Sequence, residues 1–177
     1  PKDKSFIISS DKDFLQLVSE NVVVYRPMEK EYYTPQTVVD KYKMSPHNFI
    51  LHKTLLGDNS DKIKGVKGLG EKGLLKKFPE LVEKDMSWDD ILNICENKIS
   101  DHVVYARIIH GQDDLEKNYK IMDLSNPMLS KEDKEYLDKI VETNNLSYYP
   151  DQFVAMYNED QIGGLIRNVE FWVKDCF

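Results

Sequence analysis

The apolar residues of this chain follow two different periods. Near the N-terminus they come in short runs. Phe6-Ile7-Ile8 predicts a short buried strand with Ser9-Ser10-Asp11 as its exit, and Val22-Val23-Val24-Tyr25 predicts a second. Pro27-Met28-Glu29-Lys30 then turns the chain into Glu31-Tyr32-Tyr33, the expected hairpin partner. Between the first two runs, Phe14, Leu15 and Val18 fall at helical spacing, so residues 13–18 read as a helix that ends before Asn21.

Beyond Tyr33 the period becomes helical and the helix starts are legible. Thr34-Pro35 and Ser45-Pro46 each place a capping hydroxyl before a proline suited to the first helical position. They predict helices over 35–43 and 46–56, the second ending at Gly57. Glu71 to Phe78 reads as another short helix. Ser87 with Asp90, and Ser130 with Asp133, form capping boxes that open helices over 88–97 and 131–143. A further helix is expected over 101–110. Residues 144–177 mix aromatics and acids without a clear period and receive no assignment. The pattern as a whole predicts an α/β chain, predominantly helical, with few strands.

Composition narrows the class. The chain has 177 residues and 41% apolar content, enough for one domain or two small lobes. Cys95 and Cys176 make no disulfide framework and read as reduced thiols. No apolar run approaches membrane-spanning length and no signal peptide is visible, so a cytoplasmic location is expected. The chain starts at Pro1 and enters a strand almost at once, which reads as a portion of a longer protein.

Charge changes the picture more. The net charge of −7 conceals a divided chain: residues 1–78 carry 14 Lys/Arg against 10 Asp/Glu, and residues 79–177 carry 10 against 21. In residues 62–77 six lysines face only Glu71. A basic cluster on an acidic protein marks a local anion site.

That cluster is interleaved with Gly65, Gly68, Gly70 and Gly73. Gly68 to Gly73 matches G-x-G-x-x-G, but no buried strand precedes it, so the dinucleotide fingerprint is rejected. Gly65 to Gly70 has P-loop spacing, yet Glu71-Lys72 stands where Lys-Ser/Thr is required. Two readings remain, an ordinary glycine-rich turn between helices and a tight nucleic-acid-binding hairpin, and the coincidence of apolar pins, glycines and lysines favours the hairpin. Val66 and Leu69 would pin it, while Gly65, Gly68 and Gly70 let the backbone approach a phosphate, with Lys67, Lys72 and Lys76 alongside. Such a hairpin grips a nucleic-acid backbone without reading bases.

Two aspartate pairs accompany the hairpin. Asp11 and Asp13 lie just past a strand end, and Asp58 and Asp61 flank the hairpin entrance at i, i+3. Taken singly, each is expected to cap a helix. Together, beside a phosphate site, they repel the ligand unless a cation intervenes. Mg²⁺ or Mn²⁺ fits, and two such ions can drive phosphodiester hydrolysis. His47, His52, His102 and His110 are scattered and do not combine with the cysteines into a zinc site.

ISSDKDFLQLV followed by GDNSDKIKGVKGLGEKG resembles the 5′-nuclease superfamily: flap endonucleases, polymerase-associated 5′→3′ exonucleases and, nearest in detail, bacteriophage-type ribonuclease H and 5′-exonucleases. The resemblance is dense over residues 5–78, and NYKIMDLSNP extends it weakly. It implies a PIN-like or Rossmann-like core remnant over 1–33, a helix–hairpin–helix lobe over 34–80 and a helical C-terminal region over 81–177.

It also implies roles. Asp11, Asp13, Asp58 and Asp61 match the catalytic metal-ligand aspartates of a two-metal site. Gly65 to Lys72 matches the strand clamp, whose carbonyls, here those of Val66 and Leu69, hold K⁺ in some members. The implied reaction is structure-specific 5′→3′ exonuclease or flap endonuclease cleavage. Its substrates are double-stranded DNA with a 5′ flap or end, or RNA–DNA hybrids, in a bacterial or phage-infected cell alongside replication proteins. Family members carry further acidic residues and a helical arch N-terminal to the part matched here, so this chain alone is expected to be inactive. Gly73 stands where many members have Thr, Ser or Arg. The competing expectation is a non-catalytic DNA-binding module in which the aspartates only cap helices.

Overall fold

Strand β1 (Ser5–Ile8) pairs in parallel with β2 (Val22–Arg26), which pairs antiparallel with β3 (Glu31–Tyr33), giving a sheet of order β1-β2-β3. The computed structural model describes residues 4–143, 149–160, 166 and 168–176. The predicted hairpin is present. The first strand, however, is buried on one face only: Ile7 packs inward, whereas Phe6 and Ile8 are 59% and 72% exposed. The expected helix over 13–18 is a 3₁₀ turn, Lys12–Leu17, that drops Leu15 and Val18 onto the sheet.

Helix α1 (Pro35–Tyr42) starts as predicted, with the Thr34 hydroxyl accepting from the Thr37 amide. Lys43 falls outside it, in a left-handed turn at φ 59°. The predicted helix over 46–56 is divided into a 3₁₀ turn, Pro46–Asn48, and helix α2 (Phe49–Leu56). The cause is Asn48, which is fully buried. Its amide nitrogen donates to the Leu81 and Lys84 carbonyls at 2.9 and 2.7 Å, and its oxygen accepts from the Met86 amide at 2.8 Å. Ser45 does not cap; its hydroxyl instead contacts Asp85 at 2.5 Å.

Helix α2 is apolar on nearly every side because it separates two cores. Phe49 joins Leu15, Val24, Tyr33 and Val38 under the sheet, while Leu51 and Leu55 join a larger helical core. After α2 comes a minimal hairpin, β4 (Gly57–Asp58) with β5 (Ile63–Lys64), and then α3 (Glu71–Lys77). A short helix α4 (Glu80–Glu83) leads to α5 (Trp88–Asn97), which carries the predicted capping box. Helix α6 (Val103–His110) begins two residues later than expected, capped by His102, and α7 (Gln112–Met122) follows almost without a break. Helices α4 and α7 have no counterpart among the predicted elements.

Residues Pro1–Met128 form one compact unit and Leu129–Phe177 a second. In the second, α8 (Lys131–Thr143) has the predicted Ser130–Asp133 box and no buried residue. The unassigned tail contains α9 (Pro150–Glu159) and α10 (Val169–Cys176), joined by the rings of Phe153 and Trp172 at 6.0 Å. The rest of that tail, residues 144–148, 161–165, 167 and 177, lies outside the described residues. No helix among the described residues is long and apolar enough to cross a membrane.

Candidate metal and nucleic-acid site

The exit of β1 is held from inside the sheet. Arg26, 6% exposed at the end of β2, donates from Nη2 to the Ser10 carbonyl at 2.7 Å and pairs through Nη1 with Glu29, which also accepts from Tyr33 Oη at 2.5 Å. This anchors the loop that carries Asp11 and Asp13. The Asp11 carboxylate accepts from the Asp13 amide at 2.8 Å and so caps the 3₁₀ turn. Asp13, two residues on, points towards α2, where it meets Lys53.

On the other side, α2 ends at Gly57 with φ 78°, a left-handed conformation that favours glycine, and Asp58 follows immediately. The chain then loops through Asp61 into β5. As a result Asp13, distant in sequence, joins Asp58 and Asp61, and the three bring one carboxylate oxygen each to within 4.8 Å of one another. Asp11 is not in this group, although it borders the same cleft of about 650 Å³.

Lys53, on α2, bridges two of the three carboxylates. Its Nζ is 2.6 Å from Asp13 Oδ1 and also pairs with Asp58. Its side chain, like that of Asp58, is 12% exposed. The Lys53 ammonium, with Ser60 beside it, holds the Asp58 carboxyl well below the usual carboxylate range. Apart from Lys53, the buried Oδ1 of Asp13 has no partner among the described residues. An all-oxygen donor set with one under-satisfied buried oxygen fits a hard divalent cation. Lys53 satisfies part of the same negative charge. It also stands out in retrospect as a lysine within the apolar run FILHKTLL.

The ring of His52 stacks on Phe49 with centroids 5.4 Å apart, and burial pulls its pKa below the ordinary value. Its imidazole is therefore held towards the neutral form, in the wall of the cleft.

The hairpin matches its predicted construction. Val66 and Leu69 are each 8% exposed and belong to the larger core. The Val66 amide donates to the Leu55 carbonyl at 2.8 Å and the Leu69 amide to the Val66 carbonyl at 3.1 Å. Between and beside these pins, the amides of Lys67, Gly68 and Gly70 donate to no protein acceptor among the described residues. Gly68 has φ 81°. The side chains of Lys67, Lys72 and Lys76 are exposed, whereas Gly65 is partly buried in the hairpin neck.

No protein-family model matches the chain. It is 34% identical over 133 residues to the 5′-3′ exonuclease of Aquifex aeolicus, covering 72% of this chain and 42% of that protein. Over 91 residues it is 37% identical to the thermostable DNA polymerase I of Thermus thermophilus, covering 51% of this chain and 10% of that protein. Among solved structures, a bacteriophage T5 flap endonuclease complex with DNA and metal ions superposes with a TM-score of 0.57 at 21% identity, covering 69% of this chain and 43% of that one. The T5 5′-exonuclease with bound zinc gives a TM-score of 0.57 at 22% identity, covering 69% of this chain and 44% of that one. The predicted α/β, mostly helical fold is thus the flap-endonuclease fold in part. The chain spans less than half the length of the relatives it matches. Within those bounds, it belongs to the 5′-nuclease superfamily.

Proposed function

We propose that this chain is the C-terminal part of a structure-specific 5′ nuclease that hydrolyses phosphodiesters with divalent metal ions. The observation that carries the proposal is the convergence of Asp13 with Asp58 and Asp61 beside a lysine-bearing hairpin. A hairpin that only bound DNA would have no use for three carboxylates next to its phosphates, because they would weaken the binding they adjoin.

In this reading Asp13, Asp58 and Asp61 hold Mg²⁺ or Mn²⁺, and Asp11 stands at the rim of the same cleft. When bound, the ions supply an activated water and stabilise the leaving oxygen. Lys67, Lys72 and Lys76, with the amides of Lys67, Gly68 and Gly70, hold duplex phosphates, while Gly65 closes the neck behind them. The Val66 and Leu69 carbonyls are the donors for a K⁺ ion. Residues 1–33 belong to the nuclease core, 34–80 to the helix–hairpin–helix lobe and 81–177 to a helical region. The exposed Phe6 and Ile8 leave one face of β1 uncovered, which fits further chain packing on that face. The substrate is duplex DNA bearing a 5′ flap or end, or an RNA–DNA hybrid, in the cytoplasm of a bacterial or phage-infected cell.

The test is Asp58→Asn and Asp61→Asn in the full-length protein, assayed for cleavage and for binding of a 5′-flapped duplex. Cleavage lost with binding retained is the expected result. Unchanged cleavage overturns the proposal and leaves a non-catalytic binding module.

A further inference from the structure

Two side chains from outside the helix–hairpin–helix reach back to its loop. Arg107, on α6, donates from Nη1 to the Lys67 carbonyl at 2.7 Å. Asn118, on α7, donates to the Lys64 carbonyl at 3.1 Å. Together they border a groove of about 370 Å³ that also contains Lys64, Lys67 and Asp114. Among the described residues Arg107 has no carboxylate partner, so its one protein contact of this kind is with the hairpin backbone.

The Arg107 contact fixes a direction. A trans peptide unit is planar, and its carbonyl and N–H point to opposite sides. Holding the Lys67 carbonyl against α6 therefore turns the Gly68 N–H away from α6. That amide has no protein acceptor, and Gly68 is exposed. The arrangement is tight: a Cβ at Gly68 would meet Arg107 Nη1 at 3.0 Å, at a φ that side chains rarely adopt.

Resting on the nucleic-acid reading of the hairpin, we propose that Arg107 is a positioning residue of the phosphate grip. It acts through the Lys67 carbonyl to aim the Gly68 amide at a phosphodiester, without touching the phosphate itself.

The test uses the full 177-residue chain, a short DNA duplex and the variants Arg107→Ala, Arg107→Lys and Lys67→Ala. Loss of the brace is expected to weaken duplex binding about tenfold in both Arg107 variants, since a hydrogen bond from a charged donor is lost. The salt dependence stays within about half a unit of wild type, because the lost contact is a neutral amide's and no charge that neutralises a phosphate is removed. Amide exchange at Leu69, which closes the turn onto Val66, rises in both Arg107 variants with no DNA present. Lys67→Ala instead lowers the salt slope by about one.

Affinity within twofold of wild type and unchanged Leu69 exchange in Arg107→Lys overturns the inference. So does an Arg107→Ala slope change equal to that of Lys67→Ala, which makes Arg107 a direct phosphate ligand. If wild type and every variant fail to bind duplex, the nucleic-acid reading is what fails, and faster Leu69 exchange still reports the brace.

Discussion

Lys53 Nζ lies 2.6 Å from Asp13 Oδ1 and pairs at the same time with Asp58, so a tethered ammonium bridges two of the three converging carboxylates. A divalent ion entering this cluster competes with a cation already attached to the protein. Lys53→Met removes the competitor and leaves the carboxylates to repel one another. We expect metal-free stability to fall by about 1–3 kcal/mol, the cost of partly buried charges losing their partner. Binding of Mn²⁺ to the chain is expected to tighten at least about tenfold, since nearby like charges strongly disfavour each other. Chemical denaturation and titration calorimetry read the two effects. Weaker metal binding in Lys53→Met would assign the ammonium to helping the metal.

The same contact gives a pH dependence. Lys53 and Ser60 hold the Asp58 pKa below its unfolded value. A depressed carboxylate contributes stability that is fully present above the unfolded pKa, near 4, and is lost as pH falls through the folded one. Asp58→Asn should therefore be less stable than wild type at neutral pH, with the difference shrinking progressively below about pH 4. Parallel denaturation curves at pH 7 and pH 3 measure it. A difference of equal size at both values would remove the ion pair as the cause.

Much of this site was legible because the information is local. Thr34-Pro35, Ser87 to Asp90 and the Gly57 to Gly70 stretch each determine their structure within a few residues, and they appear as the sequence predicts. What was not legible depends on distant contacts. Asn48 divides a helix because three backbone groups at Leu81, Lys84 and Met86 are waiting for it. Lys53 and Arg107 look like ordinary helix residues until the fold delivers Asp13 to one and the Lys67 carbonyl to the other. Asp11 and Asp13 are equivalent in sequence. Only the 3₁₀ turn separates a capping carboxylate from a converging one.

Cys95 is fully buried on α5, and desolvation pushes its thiol up to about 12. Alkylation requires the thiolate, which is then nearly absent at pH 8. Peptide-resolved mass spectrometry after iodoacetamide treatment should find Cys95 unmodified in the native chain and modified in denaturant. Rapid native labelling would show that α5 opens readily.

The glycines of the hairpin divide into two kinds, and the division has opposite signs for stability. At the neck, a Cβ on Gly65 would lie 2.1 Å from the Leu56 carbonyl carbon and 2.4 Å from the Gly57 amide nitrogen, all backbone atoms that cannot move aside. Gly65→Ala must therefore part the two strands and is expected to cost about 3 kcal/mol or more. Gly73 lies within α3, and a Cβ there meets Leu69 Cδ1 at an ordinary 3.5 Å. Gly73→Ala improves helix propensity without a clash and should stabilise the chain by about 0.5–1 kcal/mol. Melting curves of the two variants decide the matter. If Gly65→Ala melts with the wild type, Gly57 and Gly65 do not cross at close range in solution, and the hairpin neck is not what holds Asp58 in place.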